Sequence, residues 1–148
     1  MNIKKMYDYA TNILEFTRKD GKKYYLELRG KITIIDGNSG TGKTLLANEI
    51  YYLKKNDKRL TGIDADNISL ITSNEDSITD EEVLYILDRA DMFLDNEMCD
   101  RICDCSKARF LIFARGSYNL GVSPNHFGEF QKKEDVIHIV YDFNEKWW

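Results

Sequence analysis

The sequence predicts a three-layer α/β domain, with a mainly parallel sheet of about five strands and an antiparallel β-hairpin at its N-terminal edge. Two observations lead to this fold class. Short apolar runs alternate with segments of helical periodicity, which favours parallel βαβ units, and an Asp-Gly turn separates two alternating segments near the N-terminus. We therefore expect a single domain over residues 1–148, with the hairpin at 12–28 and the core at 31–143.

Length and composition narrow the class of protein. The chain has 148 residues, of which 43% are hydrophobic and 31% charged, with one proline and nine glycines, so a disordered or collagen-like chain is excluded. It contains no apolar stretch near the roughly 20 residues of a membrane helix. The first residues lack the apolar core of a secretory signal, so we expect a cytoplasmic protein. The net charge of -4 gives no indication of nucleic-acid binding.

The cysteines are consistent with a reducing compartment. There are three, Cys99, Cys103 and Cys105, an odd number that does not suggest a disulfide framework. Their spacing lacks the paired CxxC of a zinc site, so we expect them to pack as small apolar side chains.

The first elements are predicted from alternation. Apolar side chains alternate at Leu14 and Phe16 before the turn at 19–22, and again from Tyr24 to Leu28 after it. The β-branched run that begins at Ile32 predicts a buried parallel strand. A helix is predicted next, because Leu45, Leu46, Glu49, Ile50 and Leu53 recur at helical spacing.

The second half of the chain continues the pattern. A second strand is predicted over 68–72, and a capping box at 79–82 predicts a helix whose apolar face is formed by Val83, Leu84, Leu87 and Ala90. The remaining elements are a third strand at 92–94, a helix at 98–108, a fourth strand at 110–114, a loop at 115–133 and a fifth strand at 136–141.

One motif lies between the first buried strand and the first helix. Its residues are Gly37, Asn38, Ser39, Gly40, Thr41, Gly42, Lys43 and Thr44, which satisfy G-x-x-x-x-G-K-[ST]. In such a loop, glycines let successive N–H groups face inward, and the helix adds the positive end of its dipole. We expect Lys43 to reach the β- and γ-phosphates of a nucleotide and the Thr44 hydroxyl to bind Mg²⁺.

This motif and its flanks resemble a P-loop NTPase, and the resemblance implies a nucleoside triphosphate with Mg²⁺ as ligands. The guanine motif [NT]-K-x-D is absent from the sequence, which favours ATP over GTP. The LSGGQ-like signature of ABC transporters is absent too. The stretch 115–133 offers only Arg115, Lys132 and Lys133, too few basic residues for the arginine-rich lid of adenylate-kinase-like enzymes, so a kinase is disfavoured.

The strand 92–94 followed by Asp95 resembles a Walker B segment, whose aspartate holds Mg²⁺ through water. Its place, two strands after the P-loop strand, resembles the ASCE branch and implies the strand order 5-1-4-3-2. In that branch a glutamate usually follows the aspartate directly, but Asn96 stands there and Glu97 comes next. We expect Asp95 to hold Mg²⁺ and Glu97 to position the attacking water.

The fourth strand ends at Arg115, where ASCE proteins often place a basic sensor. We expect its guanidinium to contact the γ-phosphate. The segment from Arg115 to Pro124 is also similar to small P-loop ATPase-like proteins of bacterial mobile elements.

The resemblance leads to a slow ATPase as the predicted function. The chain has no room for a lid domain, so we expect a protein partner or a second copy to complete the site, with Trp147 and Trp148 as a contact. Two alternatives stay open. One is a nucleotide-controlled interaction module without significant hydrolysis. The other is a phosphotransferase that delivers the γ-phosphate to a small acceptor.

Overall fold

The computed structural model describes residues 2–36, 42–115 and 126–141. Eleven strands lie in these ranges: β1 (Lys4–Lys5), β2 (Tyr7–Asp8), β3 (Ile13–Thr17), β4 (Lys23–Glu27), β5 (Ile32–Asp36), β6 (Ile63–Asp64), β7 (Ile68–Ile71), β8 (Leu84–Leu87), β9 (Arg109–Phe113), β10 (His126–Lys133) and β11 (Val136–Val140). The helices in these ranges are α1 (Lys43–Lys55), α2 (Lys58–Thr61) and α3 (Asn96–Asp104), with a 3₁₀ turn at Ala90–Met92.

Nine of the strands form one mixed sheet in the order β2-β3-β4-β11-β10-β5-β9-β8-β7. Strands β10, β5, β9, β8 and β7 run parallel to one another. The other half contains the antiparallel pairs β2/β3, β3/β4 and β10/β11, and β4 pairs with β11 in parallel. Strands β1 and β6 form a separate two-stranded sheet.

The predicted fold class is wrong. In the described part of the chain, the protein is a mostly-strand, nearly barrel-shaped mixed sheet of nine strands with few helices, not a three-layer domain built on about five mainly parallel strands. The physical reason lies in the hairpin. Its strand β4 pairs with β11, and β11 pairs with β10, so the N-terminal strands continue the central sheet.

The helix predicted from the capping box at 79–82 is also wrong. The segment that follows forms strand β8, and all four of its side chains are buried. Four consecutive buried residues suit a central parallel strand, which is covered on both faces. Asp80 has a different role, because its carboxylate accepts hydrogen bonds from the backbone N–H groups of Ser106, Lys107 and Ala108.

Two further predictions for the second half need correction. The strand predicted at 92–94 does not form, because residues 90–92 make the 3₁₀ turn and Phe93 and Leu94 donate their N–H groups back to the carbonyl of Ala90. The segment 115–133, predicted as a loop, contains strand β10. By contrast, the hairpin forms with Leu14 opposite Leu26, and a helix follows β5 as predicted.

Two apolar clusters support the sheet. Helix α1 contributes Leu46, Ile50 and Leu53 to the first cluster, which also includes side chains of β3 and β4. Helix α3 contributes Met98 and Ile102 to the second. Within the described ranges, no helix has the length and apolar character needed to span a bilayer.

Candidate functional site

A cleft of about 780 Å³ lies where several parallel strands end. The charged residues at its wall are Lys43, Asp88, Arg89, Asp91 and Arg115, and the hydroxyl of Thr44 lies there too. The chain reaches β7, β8 and β9 on one side of β5 and then crosses to β10 on the other. The two end strands of the described sheet, β2 and β7, do not pair with each other, so the sheet is not closed. In open sheets, ligands bind at such a change of direction, outside the carboxyl ends of the strands. The topology therefore marks this cleft as the candidate binding site.

Helix α1 begins next to the cleft, and its start is held by the hairpin. The residue before the helix, Gly42, has φ 102°, in the left-handed region that favours glycine. The buried Tyr24 hydroxyl donates a 2.8 Å hydrogen bond to the Gly42 carbonyl. A Cβ on Gly42 would lie 3.2 Å from that hydroxyl and 3.2 Å from Ile137 Cδ1. Both β4 and β11 therefore fix the entry into the helix.

Lys43 is the first residue of α1, and it is almost fully buried, with 9% of its surface exposed. Burial lowers the pKa of its ammonium group, because the charged form loses water. Asp36, at the end of β5, acts in the opposite direction, and Arg115 lowers the pKa further. An anion beside Lys43 would favour its charged form, so the site is electrostatically suited to a phosphate.

The carboxylate of Asp88 follows strand β8 directly. The backbone N–H of Asp88 donates a hydrogen bond to the carbonyl of Ile71, the last residue of β7. This bond continues the pairing of β8 with β7 by one residue and fixes the backbone of Asp88 at the edge of the sheet. Asp88 is half-buried, and burial raises the pKa of its carboxyl, while Arg89 and Lys43 oppose that rise. A carboxylate held beside a buried lysine at a strand end is suited to bind a hard cation.

Asp95 and Glu97 are placed elsewhere. The Asp95 carboxylate caps helix α3, accepting a 2.8 Å hydrogen bond from the Met98 N–H and a 3.1 Å hydrogen bond from the Asn74 amide. Glu97 is exposed in the first turn of the same helix. Neither side chain lies at the wall of the cleft. The prediction that Asp95 ends a strand is wrong. The strand that lies beside β9 in the sheet is β8, and the residue that follows it is Asp88.

Arg115 follows strand β9 and lies at the wall of the cleft, and its contact with a γ-phosphate stays a prediction. Its N–H donates a 3.2 Å hydrogen bond to the carboxylate of Asp91 in the 3₁₀ turn. This contact ties the end of β9 to the turn that follows β8. The structure thus brings Lys43, Thr44 and Arg115 together.

Five of the predicted phosphate-loop residues, Gly37, Asn38, Ser39, Gly40 and Thr41, lie outside the described residues, as do Trp147 and Trp148. The three that follow in the motif are described and stand at the start of α1.

Sequence reasoning missed Tyr24, Asp88 and Arg89. A signal for Asp88 was present, because the five apolar residues from Val83 to Leu87 precede it without interruption, as expected of a buried strand. No local signal marks Tyr24, whose contact with Gly42 spans 18 positions.

Comparisons with protein-family models, with curated proteins and with solved structures give no match for this chain.

Proposed function

We propose that this protein binds ATP together with Mg²⁺ in the cleft at the start of helix α1. The observation that supports this most directly is the coincidence of a complete G-x-x-x-x-G-K-[ST] motif with a cleft at the carboxyl ends of parallel strands. Lys43 and Thr44, the last two residues of the motif, both lie at the wall of that cleft. In this proposal, the triphosphate lies along the motif and contacts the Lys43 ammonium.

The residues of the cleft suit Mg²⁺. This cation prefers oxygen ligands, and it usually binds through one or two protein groups together with phosphate oxygens and water. The Thr44 hydroxyl and the Asp88 carboxylate supply such oxygens in one cleft. We assign Thr44 and Asp88, in place of Thr44 and Asp95, as the groups that would hold the cation, whose chemistry is to neutralise phosphate charge.

Hydrolysis belongs to the proposal as a slow activity. The water-positioning role predicted for Glu97 has no support from its exposed place on α3, outside the cleft. This observation favours the second candidate function, a module whose surface changes when ATP binds and which turns over little nucleotide. The two candidates share the binding step and differ in turnover.

A partner chain remains part of the proposal. At the cleft, Met92 exposes 78% of its surface, so an apolar side chain at the cleft wall is open to contact by another molecule. A second copy or another protein that covers the nucleotide would bury this side chain.

Calorimetry with ATP, ADP and GTP, each with and without Mg²⁺, tests the binding step. We expect Mg²⁺-dependent binding of ATP, and at least a tenfold loss of affinity for Lys43→Ala, since a hydrogen bond to a charged group contributes about 1.5–3 kcal/mol. Lys55→Ala is the matched control, because Lys55 lies at the other end of α1 and stacks on Tyr51. Absence of binding by the wild type at millimolar nucleotide would refute the proposal.

A further inference from the structure

The hairpin formed by β3 and β4 contacts helix α1 through a second polar pair, besides Tyr24 and Gly42. Arg18 follows β3 directly, and its Nε atom lies 3.3 Å from the Oε1 atom of Glu49 on α1. The same guanidinium lies 3.4 Å from the carboxylate of Asp20 in the hairpin turn. These distances show that the Arg18 side chain points towards α1 and joins the helix to the turn.

The ion pair between Arg18 and Glu49 is largely removed from water. The Arg18 side chain is 19% exposed and the Glu49 side chain 27%. The Nε atom of Arg18 is buried and makes no hydrogen bond within the described ranges, so its charge is compensated by the carboxylates beside it. Removal of one partner from such a pair leaves the other poorly compensated, which makes the contact stronger in its structural effect than an exposed ion pair.

Arg18 and Glu49 both lie outside the cleft proposed for the nucleotide. They line a second cleft of about 670 Å³ between the hairpin turn, α1 and α2, and neither is at the wall of the first cleft. Both also act on the phenol of Tyr24, whose pKa is raised by burial, lowered by Arg18 and raised by Glu49. The ion pair and the hydrogen bond from Tyr24 to Gly42 are therefore neighbouring parts of one junction between the hairpin and α1.

This junction adds direction to a contact that is otherwise apolar. Leu46, Ile50 and Leu53 bury one side of α1, but burial of apolar surface is non-directional and opposes small rotations of a helix only weakly. At about 3.6 residues per turn, Glu49 lies at one flank of that buried side. An ion pair at the flank restricts rotation of the helix about its axis. Because Lys43 belongs to the same helix, its position in the cleft is restricted as well.

We propose that Arg18 and Glu49 control the nucleotide affinity of the site from outside it, by holding α1 so that the Lys43 ammonium faces the bound phosphates. The inference rests on the function proposed above. The two are positioning residues, since they act through Lys43 and lie away from the nucleotide. Electrostatics alone predicts a different result, because loss of the Glu49 carboxylate would make the surroundings of a polyanion more positive and strengthen its binding. The sign of the effect at Glu49 therefore separates the two explanations.

The test compares the affinities for adenylyl imidodiphosphate with Mg²⁺ in wild type, Arg18→Gln and Glu49→Gln, by calorimetry at a temperature where circular dichroism shows each protein folded. We expect both variants to weaken binding by about three- to tenfold, a usual size of coupling between groups in one network. Glu15→Gln is the matched control and should change the affinity less than twofold. Glu15 pairs with Lys23 at 2.6 Å, which joins β3 to β4 within the hairpin.

The same substitutions in a Lys43→Ala background test the route of the effect. Each should then change the affinity less than twofold, because the group that the ion pair positions is gone. If Glu49→Gln binds the nucleotide as tightly as the wild type or more tightly, the inference is overturned and the proposed function stands. Losses that persist in full without Lys43 overturn it in the same way. If the wild type binds no nucleotide, the proposed function itself fails and the inference fails with it.

Discussion

Asp88 and Asp95 offer a direct test of the candidate site, because each follows an apolar run and only Asp88 lies at the cleft. The perturbation is a pair of variants, Asp88→Asn and Asp95→Ala. Asparagine keeps the shape of aspartate and removes its charge. Alanine is needed at position 95 because asparagine caps a helix about as well as aspartate does.

The two variants should differ in stability. Asp95→Ala removes the acceptor for the Met98 N–H and should cost about 1 kcal/mol, the usual cost of a lost helix cap. With an unfolding entropy of about 2.1 cal/mol/K per residue over 148 residues, this corresponds to a decrease of about 3 °C in Tm. Asp88→Asn should not lower the Tm, because burial already disfavours the charged carboxylate, as the raised pKa of Asp88 shows.

Nucleotide binding should show the opposite order. Loss of the Asp88 carboxylate should weaken binding of Mg²⁺ with the ATP analogue by about 10- to 100-fold, the usual effect of removing a group that orients a bound metal or its water. Asp95→Ala should change this affinity less than twofold. Calorimetry gives the affinity and differential scanning calorimetry the Tm. If Asp88→Asn bound the Mg²⁺ complex as tightly as the wild type while Asp95→Ala did not, the reassignment to Asp88 would be wrong.

Three further predictions concern the surroundings of the site. Burial raises the pKa of Tyr24 from 10.0 to about 12, so the folded state favours the neutral phenol. The contribution of Tyr24 to the free energy of unfolding is therefore complete below pH 10 and is lost as the pH rises towards 12. In Tyr24→Phe, the free energy of unfolding should not show this decrease at alkaline pH. Backbone N–H groups hold the pKa of the Asp80 carboxyl well below its usual range. The contribution of Asp80 to the free energy of unfolding is therefore complete above the ordinary pKa of an aspartate and declines only in strong acid. Asp80→Ala should lower the Tm at neutral pH. Met92→Gln should abolish ATP-dependent association in light scattering, whereas Leu60→Gln, at an exposed position away from the cleft, should not.

The local elements that alternation specifies could be predicted from the sequence. The hairpin and helix α1 form as their periods of two and of 3.6 predict, and strand β5 forms from an uninterrupted β-branched run that ends just before the glycine-rich motif. The segment 83–90 could not be assigned in this way. Its apolar positions fit one face of a helix and also an uninterrupted buried run, and only the neighbouring strands β7 and β9 select the strand.

The same ambiguity explains why the sequence predicts Asp95, and not Asp88, as the aspartate that holds Mg²⁺. The sequences Tyr-Ile-Leu-Asp and Met-Phe-Leu-Asp have the same local pattern, an apolar run that ends in an aspartate. Which run enters the sheet depends on partners far along the chain. Once the first run occupies the sheet, the second aspartate is left before a helix, where its short carboxylate caps the backbone. Arg89, the next residue after Asp88, has a backbone φ of 56°, which no local pattern predicts because arginine rarely adopts a positive φ.

The strands that the predicted fold treated as an edge hairpin and a final strand contribute directly to the candidate site. Tyr24 of β4 and Ile137 of β11 are paired in the sheet, and both approach the same glycine at the start of α1. The Gly42 carbonyl receives the Tyr24 hydroxyl and also the N–H of Leu46, so it is the point where the sheet and the helix meet. Because Lys43 follows immediately, its position in the cleft depends on this junction. The enlarged mixed sheet therefore has a consequence for the candidate site: Tyr24, 18 positions before Gly42, and Ile137, 95 positions after it, together fix where the helix that carries Lys43 begins.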